Sequence, residues 1–398
     1  TLKSRLTHGC PGVEFDWEEV MSGGEDDARK IRERSADADG FLVYLAGCLW
    51  GVTPQVIAAS GKPTVMADEL FAGSGEFLTA YAQAKRQGGR IVAVSSSRFE
   101  DVIDAIRGIE CLHKLSRSRM LVIGGNPDRG VEQTYGTTVQ NVAFSEINEA
   151  YASNGQAEIR ECANRWIKDA KKVIEPARTD IEKAAGMYLA MNALLKKHAA
   201  DAITINCLGG IYSGQMVEAY PCLGFMQLDD DRMVGACEAD QRSTTTKLLI
   251  SYLAGRPGFI SDPVIDTAKN RIIYAHCVGP TRVYGPDGPR NPYHIRSHSE
   301  DRKGACNRSL MPLGKMTTTM LFDHNKKQVI LHQGVTVENV DDDKACRTKL
   351  AVEVKGDVYK LLNYWDQWGW HRVTFYGDLK RQVYNVASLL GFEVIEEA

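Results

Sequence analysis

The stretch MVEAYPCLGFMQLDDDRMVGACEAD, residues 216–240, sets acidic side chains around two short apolar runs. Asp229, Asp230 and Asp231 are consecutive and cannot share one face, so LDDDR reads as a solvated turn. Glu218 and the pair Glu238 and Asp240 differ. Glu218 leads into AYPCLGF, and Glu238 and Asp240 follow MVGAC at the entrance of a helix. That is where α/β proteins place ligand groups. A helix dipole also favours a carboxylate there, so a plain helix cap is the competing reading of Asp240. His371, in WGWHRVTFYGD, heads a strand-like run among aromatics, and His276 alternates with apolar residues in YAHCVG. Two carboxylates and an imidazole would suit a hard divalent ion such as Mn2+ or Mg2+, with positions left for substrate oxygens. The residue types are legible; their convergence is not.

The elements that must position them follow from pattern. A chain of 398 residues with 43% hydrophobic content holds two or three cores. A net charge of −3 gives no electrostatic reason to expect nucleic acid or an anionic membrane. No apolar run reaches the roughly 18 residues of a spanning helix. No secretory leader is recognisable in a sequence that begins at Thr1. Ten scattered cysteines without a CxxC pair indicate a reducing, cytoplasmic protein. GFLVYLAG (40–47), KPTVMAD (62–68) and GRIVAVSS (89–96) read as buried parallel strands. Helical stretches at 50–60, 75–87 and 99–115 alternate with them. A second unit repeats the alternation from SRMLVIGGNP (118–127) through DAITINCLGG (201–210) to a helix ending near Gly255. Short alternating strands then predict an antiparallel sheet or barrel, interrupted by a long polar loop, 279–304, of the kind that is functional or disordered. The expected fold is two Rossmann-like parallel-sheet α/β domains, 1–116 and 117–258, the second carrying the carboxylates. A β-rich, barrel-like C-terminal domain with a closing helix, 259–398, completes it.

The segment from Glu218 to Asp240 resembles the L-fucose isomerase family, related to the L-arabinose isomerases. VEAYPCLGF stands where that family has a Met-Glu-Ala-like segment, and CEAD where it has a Thr-Glu-Asn-Asp-like one before a helix. GWHRVTFYGD matches a C-terminal segment that supplies a histidine before a Gly-Asp turn and a last helix. The layout of two α/β units and a β-rich end is also similar. Departures are CEAD itself, Trp370 before His371 where a second histidine is expected, a shorter chain, and the YHIRSHSEDRKG loop.

The resemblance implies an aldose–ketose isomerase that works on an open-chain sugar through an enediolate. It implies a divalent ion, Mn2+ or another such as Mg2+ or Co2+, held by Glu218, Asp240 and His371. Glu218 and Asp240 would also move the proton, with a metal-assisted hydride shift as the other route. His276, Arg296 and His298 are candidates for binding substrate hydroxyls or relaying protons. Arg282, Arg290 and Arg302 read either as solvated charge of the long loop or as a grip for an anionic sugar. A homo-oligomer, trimer or hexamer, is further implied. The tryptophans at 365, 368 and 370 suit either a subunit contact or a sugar-stacking surface. The alternatives are another metal-dependent sugar enzyme on the same scaffold, a lyase, epimerase or glycoside-cleaving enzyme, or a non-catalytic sugar-binding protein.

Overall fold

A computed structural model describes residues 1–19, 24–48, 51–126, 131–134 and 136–398. Trp50 and Pro127, at the ends of two expected elements, lie outside the described residues. The chain forms two compact units. The first comprises Thr1–Lys114 and Lys380–Val394. Its sheet is parallel, in the order β1 (Phe41–Leu45), β2 (Thr64–Asp68), β3 (Ile91–Ser95). The β-branched runs bury Val65, Val92 and Val94 against Ile103, Ile106 and Leu389. Continuous apolar strands of this kind are what a sheet covered on both faces requires.

The second unit, Leu115–Leu379 with Ile395–Ala398, holds every residue of interest. Its first sheet is built from β4 (Arg119–Ile123), β5 (Val131–Thr134), β6 (Thr137–Val142), β8 (Ala202–Ile205) and β9 (Val234–Cys237), in the order β5-β6-β4-β8-β9. All neighbours are parallel except β5 with β6. The two-residue β7 (Lys172–Val173) pairs elsewhere. The second sheet is a closed antiparallel barrel. It uses β10 (Phe259–Asp266), β11 (Arg271–His276), β14 (Met316–Asp323), β15 (Gln328–Asn339), β16 (Thr348–Val354) and β17 (Arg372–Tyr376), in the order β14-β17-β10-β11-β16-β15, with β15 returning to β14. Parallel sheets followed by a closed antiparallel one agree with the fold class expected from the sequence. Among the described residues no helix is long and apolar enough to cross a membrane.

Two local expectations change. LDDDR is not a solvated turn: Cys222–Asp230 is a helix, and Asp229 and Asp230 are each 3% exposed. Acids at a helix C-terminus oppose its dipole, and distant partners offset this. Lys247 Nζ lies 2.7 Å from Asp229. The N–H groups of Thr281 (3.0 Å) and Arg282 (2.8 Å) donate to Asp230. The long loop is also ordered, contributing β12 (Tyr293–Arg296), which pairs with β13 (Cys306–Ser309) and with β7.

A buried chain of polar groups runs through the barrel. Tyr274 bonds to His332, whose Nδ1 lies 2.9 Å from Glu397. Glu397 also accepts from the Arg372 guanidinium, which in turn donates to the carbonyl of His371 at 3.1 Å. Glu397 itself returns to the barrel beside β15, donating its N–H to Leu331 O.

Candidate metal centre

Barrel register sets the first three residues. Asp262 stands opposite Ala275 and Ser261 opposite Arg372, so Asp262, His276 and His371 meet at one end of the neighbouring strands β17, β10 and β11. The other two come from the turn after β9. Glu238 and Ala239 both take left-handed backbone, φ +62° and +52°. For residues with a Cβ this is strained, and such strain concentrates at functional sites. The turn delivers Asp240 as N-cap of the helix Gln241–Ala254, where Ser243 donates to it through N–H (3.0 Å) and hydroxyl (2.7 Å). The capping reading of Asp240 is therefore correct, and the same carboxylate also reaches His371.

His371 is the hub. Its Nδ1 lies 2.9 Å from Asp240, and its Nε2 lies 3.3 Å from Asp262 and 3.5 Å from Glu238. Glu238 also stands 3.6 Å from His276 Nε2. The ligand atoms of Asp262, His276 and His371 lie within 4.8 Å of one another. Both histidines are nearly fully buried, yet neither Nε2 has a hydrogen-bond partner: the carboxylates are close but misaligned. Burial opposes charge on His371, but its bond to Asp240 and the Asp262 carboxylate close by prevail and raise the imidazole to about 10. Burial likewise pushes the Asp240 carboxyl up, and His371 and Ser243 bring it down to about 2. Three carboxylates crowded around two imidazoles, with two orphaned ring nitrogens, are a donor set that fits a divalent cation. The Asp240 bond to Nδ1 is the kind that turns Nε2 of a histidine ligand toward its ion. His276 is less ready. Its Nδ1 accepts the N–H of Cys277 at 3.0 Å. Coordination through Nε2 would move the ring proton to Nδ1 and give up that contact, at about 1 kcal/mol.

A cavity of about 420 Å³ opens beside the cluster, lined by Asn206, Leu208, Glu238, Asp262, Glu300 and Trp370. Trp370 is 72% exposed, and its indole N–H donates to Asp262. A second cavity, about 440 Å³ around Arg256 and Tyr284, includes none of these ligands.

Of the residues singled out from sequence, Asp240, His276 and His371 come together. Glu218 does not join them: its half-exposed carboxylate pairs with Lys303 Nζ at 3.0 Å. Arg296 is engaged by Glu175 (2.7 Å) and Asp343 (2.8 Å). His298 packs on the Tyr220 ring with centroids 5.4 Å apart. Arg282 donates to the carbonyls of Pro286 and Gly288, and Arg290 pairs with Asp169. Asp262 was missed. Its one signal is an acid before proline in FISDPVID, a strand that also carries Ser261 and Asp266.

No family model matches the chain. Over 312 residues it is 20% identical to two curated proteins, each named sulfoquinovose isomerase, from Priestia aryabhattai and Priestia megaterium (strain ATCC 12872 / QMB1551). The match spans 74% of this chain and 68% of each relative. This is a distant similarity.

Proposed function

We propose that the protein is a divalent-metal-dependent aldose–ketose isomerase acting on an open-chain sugar. The observation that carries this is the pair of buried, unpartnered Nε2 atoms of His276 and His371 among three carboxylates at a polar cavity. The distant likeness to sulfoquinovose isomerases supports the reaction class. It makes a sulfonated hexose one sugar to test beside neutral ones.

Asp262, His276 and His371 would hold the ion, and Asp240 would orient His371 through its Nδ1. When bound, a divalent ion such as Mn2+ (Mg2+ and Co2+ share the preference) polarises a carbonyl and stabilises charge on adjacent sugar oxygens. Asp240 fixes His371 and is itself tied to Ser243, so it is poorly placed to carry protons. Glu238 lines the cavity and is the residue we assign to move the proton between C1 and C2. With a lowered pKa, it starts as a base; the His276 imidazole beside it is the main cause. Trp370 stands over the mouth as an apolar face for the sugar. His298 and Arg296 support the loop instead of touching substrate. A homo-oligomer, trimer or hexamer, belongs to the same proposal through the family resemblance, and a cytoplasmic location through the scattered cysteines.

The test is metal content after incubation with Mn2+, followed by ketose formation from a sugar panel. Wild type and Glu218→Gln should each carry about one ion per chain, and His371→Ala and Asp262→Asn should lose it. Wild type without metal would end the proposal. Deuterium wash-in at C2 without ketose would move it to an epimerase.

A further inference from the structure

We propose that Cys237, Glu238 and His276, with Cys207 beside them, form a second cation site for a thiophilic divalent ion of the zinc or cadmium class, sharing His276 with the oxygen-rich set. The ligand atoms of Cys237, Glu238 and His276 lie within 4.8 Å of one another. Cys207 Sγ is 3.3 Å from Cys237 Sγ, and both thiols are free. Adjacent strands bring them together. Ile205 on β8 stands opposite Cys237 on β9, and Cys207 follows two residues on, at the start of the short helix Cys207–Tyr212. The unpartnered Nε2 of His276, which is 3% exposed, points independently to a missing partner.

Donor chemistry separates the two sets. Thiolates with an imidazole and a carboxylate are the ligands of tetrahedral zinc sites. Carboxylate oxygens suit Mn2+ and Mg2+, and sulfur selects softer ions. The thiols are buried, but Glu238 lines the open cavity, as do Asn206 and Leu208 on either side of Cys207, so an ion has a route in. Each thiol that coordinates gives its proton to solvent, and two thiolates balance the charge of the ion. His276 Nε2 can face one ion only. Filling the thiol side therefore takes an imidazole from the other set and should inhibit. The thiol site stands without the isomerase reading; only its inhibitory consequence rests on that reading.

The experiment is a Cd2+ titration of the reduced, metal-stripped full chain, followed by near-ultraviolet thiolate-to-cadmium absorption. Expected is a band saturating at about one Cd2+ per chain. It should be lost in Cys237→Ser, weakened in Cys207→Ser and kept in Cys48→Ser, which removes an exposed thiol outside this cluster. Prior Mn2+ loading should raise the Cd2+ needed for half-saturation by about tenfold or more. Cadmium NMR of the wild type reads sulfur ligation directly, so a variant that fails to fold does not decide the matter. No thiolate band, an oxygen-only cadmium shift, or a band that survives in folded Cys237→Ser overturns the site. Indifference of Cd2+ binding to bound Mn2+ overturns the shared histidine. Mn2+ uptake, measured separately, decides the isomerase reading whichever way cadmium falls.

Discussion

Replacing Lys247 with methionine should destabilise the second unit severely, and restoring neutrality should rescue it. The side chains of Lys247 and Asp229 are each 1% exposed, with Nζ 2.7 Å from the carboxylate. Lys247 also donates to the Gly235 carbonyl, and Asp229 accepts the Gly235 N–H at 3.2 Å. One ion pair thus fastens the helix Cys222–Asp230, β9 and the helix Gln241–Ala254, the elements that flank the Glu238–Asp240 turn. Burial pushes the Asp229 carboxyl up to about 7, with Lys247 pulling against it. Removing the lysine strands a buried acid, and breaking such a pair costs about 3–5 kcal/mol. At about 2–4 °C per kcal/mol for a domain of this size, Tm should fall by roughly 10 °C. Asp229→Leu with Lys247→Met should return to within about 1 kcal/mol of wild type, because no unpaired charge remains. The assay is urea and thermal unfolding of the metal-free protein at two pH values. The single variant should suffer less at pH 5 than at pH 8, where the stranded carboxyl must ionise. A Lys247→Met protein within about 1 kcal/mol of wild type, or a double variant as unstable as the single, would refute the reasoning.

Asp240→Asn should weaken metal binding by about 10–100-fold without abolishing it, because the residue orients His371 through Nδ1; a metal titration reads this. The metal-free protein should lose stability at both extremes of pH. His371 is raised from 6.5 to about 10, so its contribution is full below 6.5 and lost as pH climbs through 10. Asp240 is lowered from 3.8 to about 2, so its contribution is present above 3.8 and lost as pH falls through 2. His371→Gln should flatten the alkaline limb in unfolding curves taken across that range. Ala239→Gly should raise stability by about 1 kcal/mol by relieving the left-handed backbone, with metal affinity unchanged; a loss of stability would show the turn to be unstrained.

What the sequence discloses is what local pattern controls. GFLVYLAG, KPTVMAD and GRIVAVSS become β1, β2 and β3 because β-branched runs between helices leave few other arrangements. The helix after Asp240 was legible because its cap is local. Partners across long separations were not. Asp229 looks like surface charge until Lys247, 18 residues on, is placed beside it. Glu218 looks like a ligand until Lys303, 85 residues away, neutralises it. His371 and Asp240, 131 residues apart, were joined beforehand only by family resemblance. Asp262 had no such help, because one acid within a strand carries no period that marks it.

The polar chain that ends on Glu397 has a consequence for how the site is acquired. His371 rests on Arg372, Arg372 on Glu397, and the metal-facing groups span residues 237 to 371. No short segment of the polypeptide contains the centre. Its assembly waits on the pairing of β17 with β10 and on the docking of residue 397, contacts of long sequence separation that form slowly. Capacity to bind an ion should therefore appear late in refolding, after most secondary structure. Mn2+ added at the start should hold the finished unit together without hastening its formation.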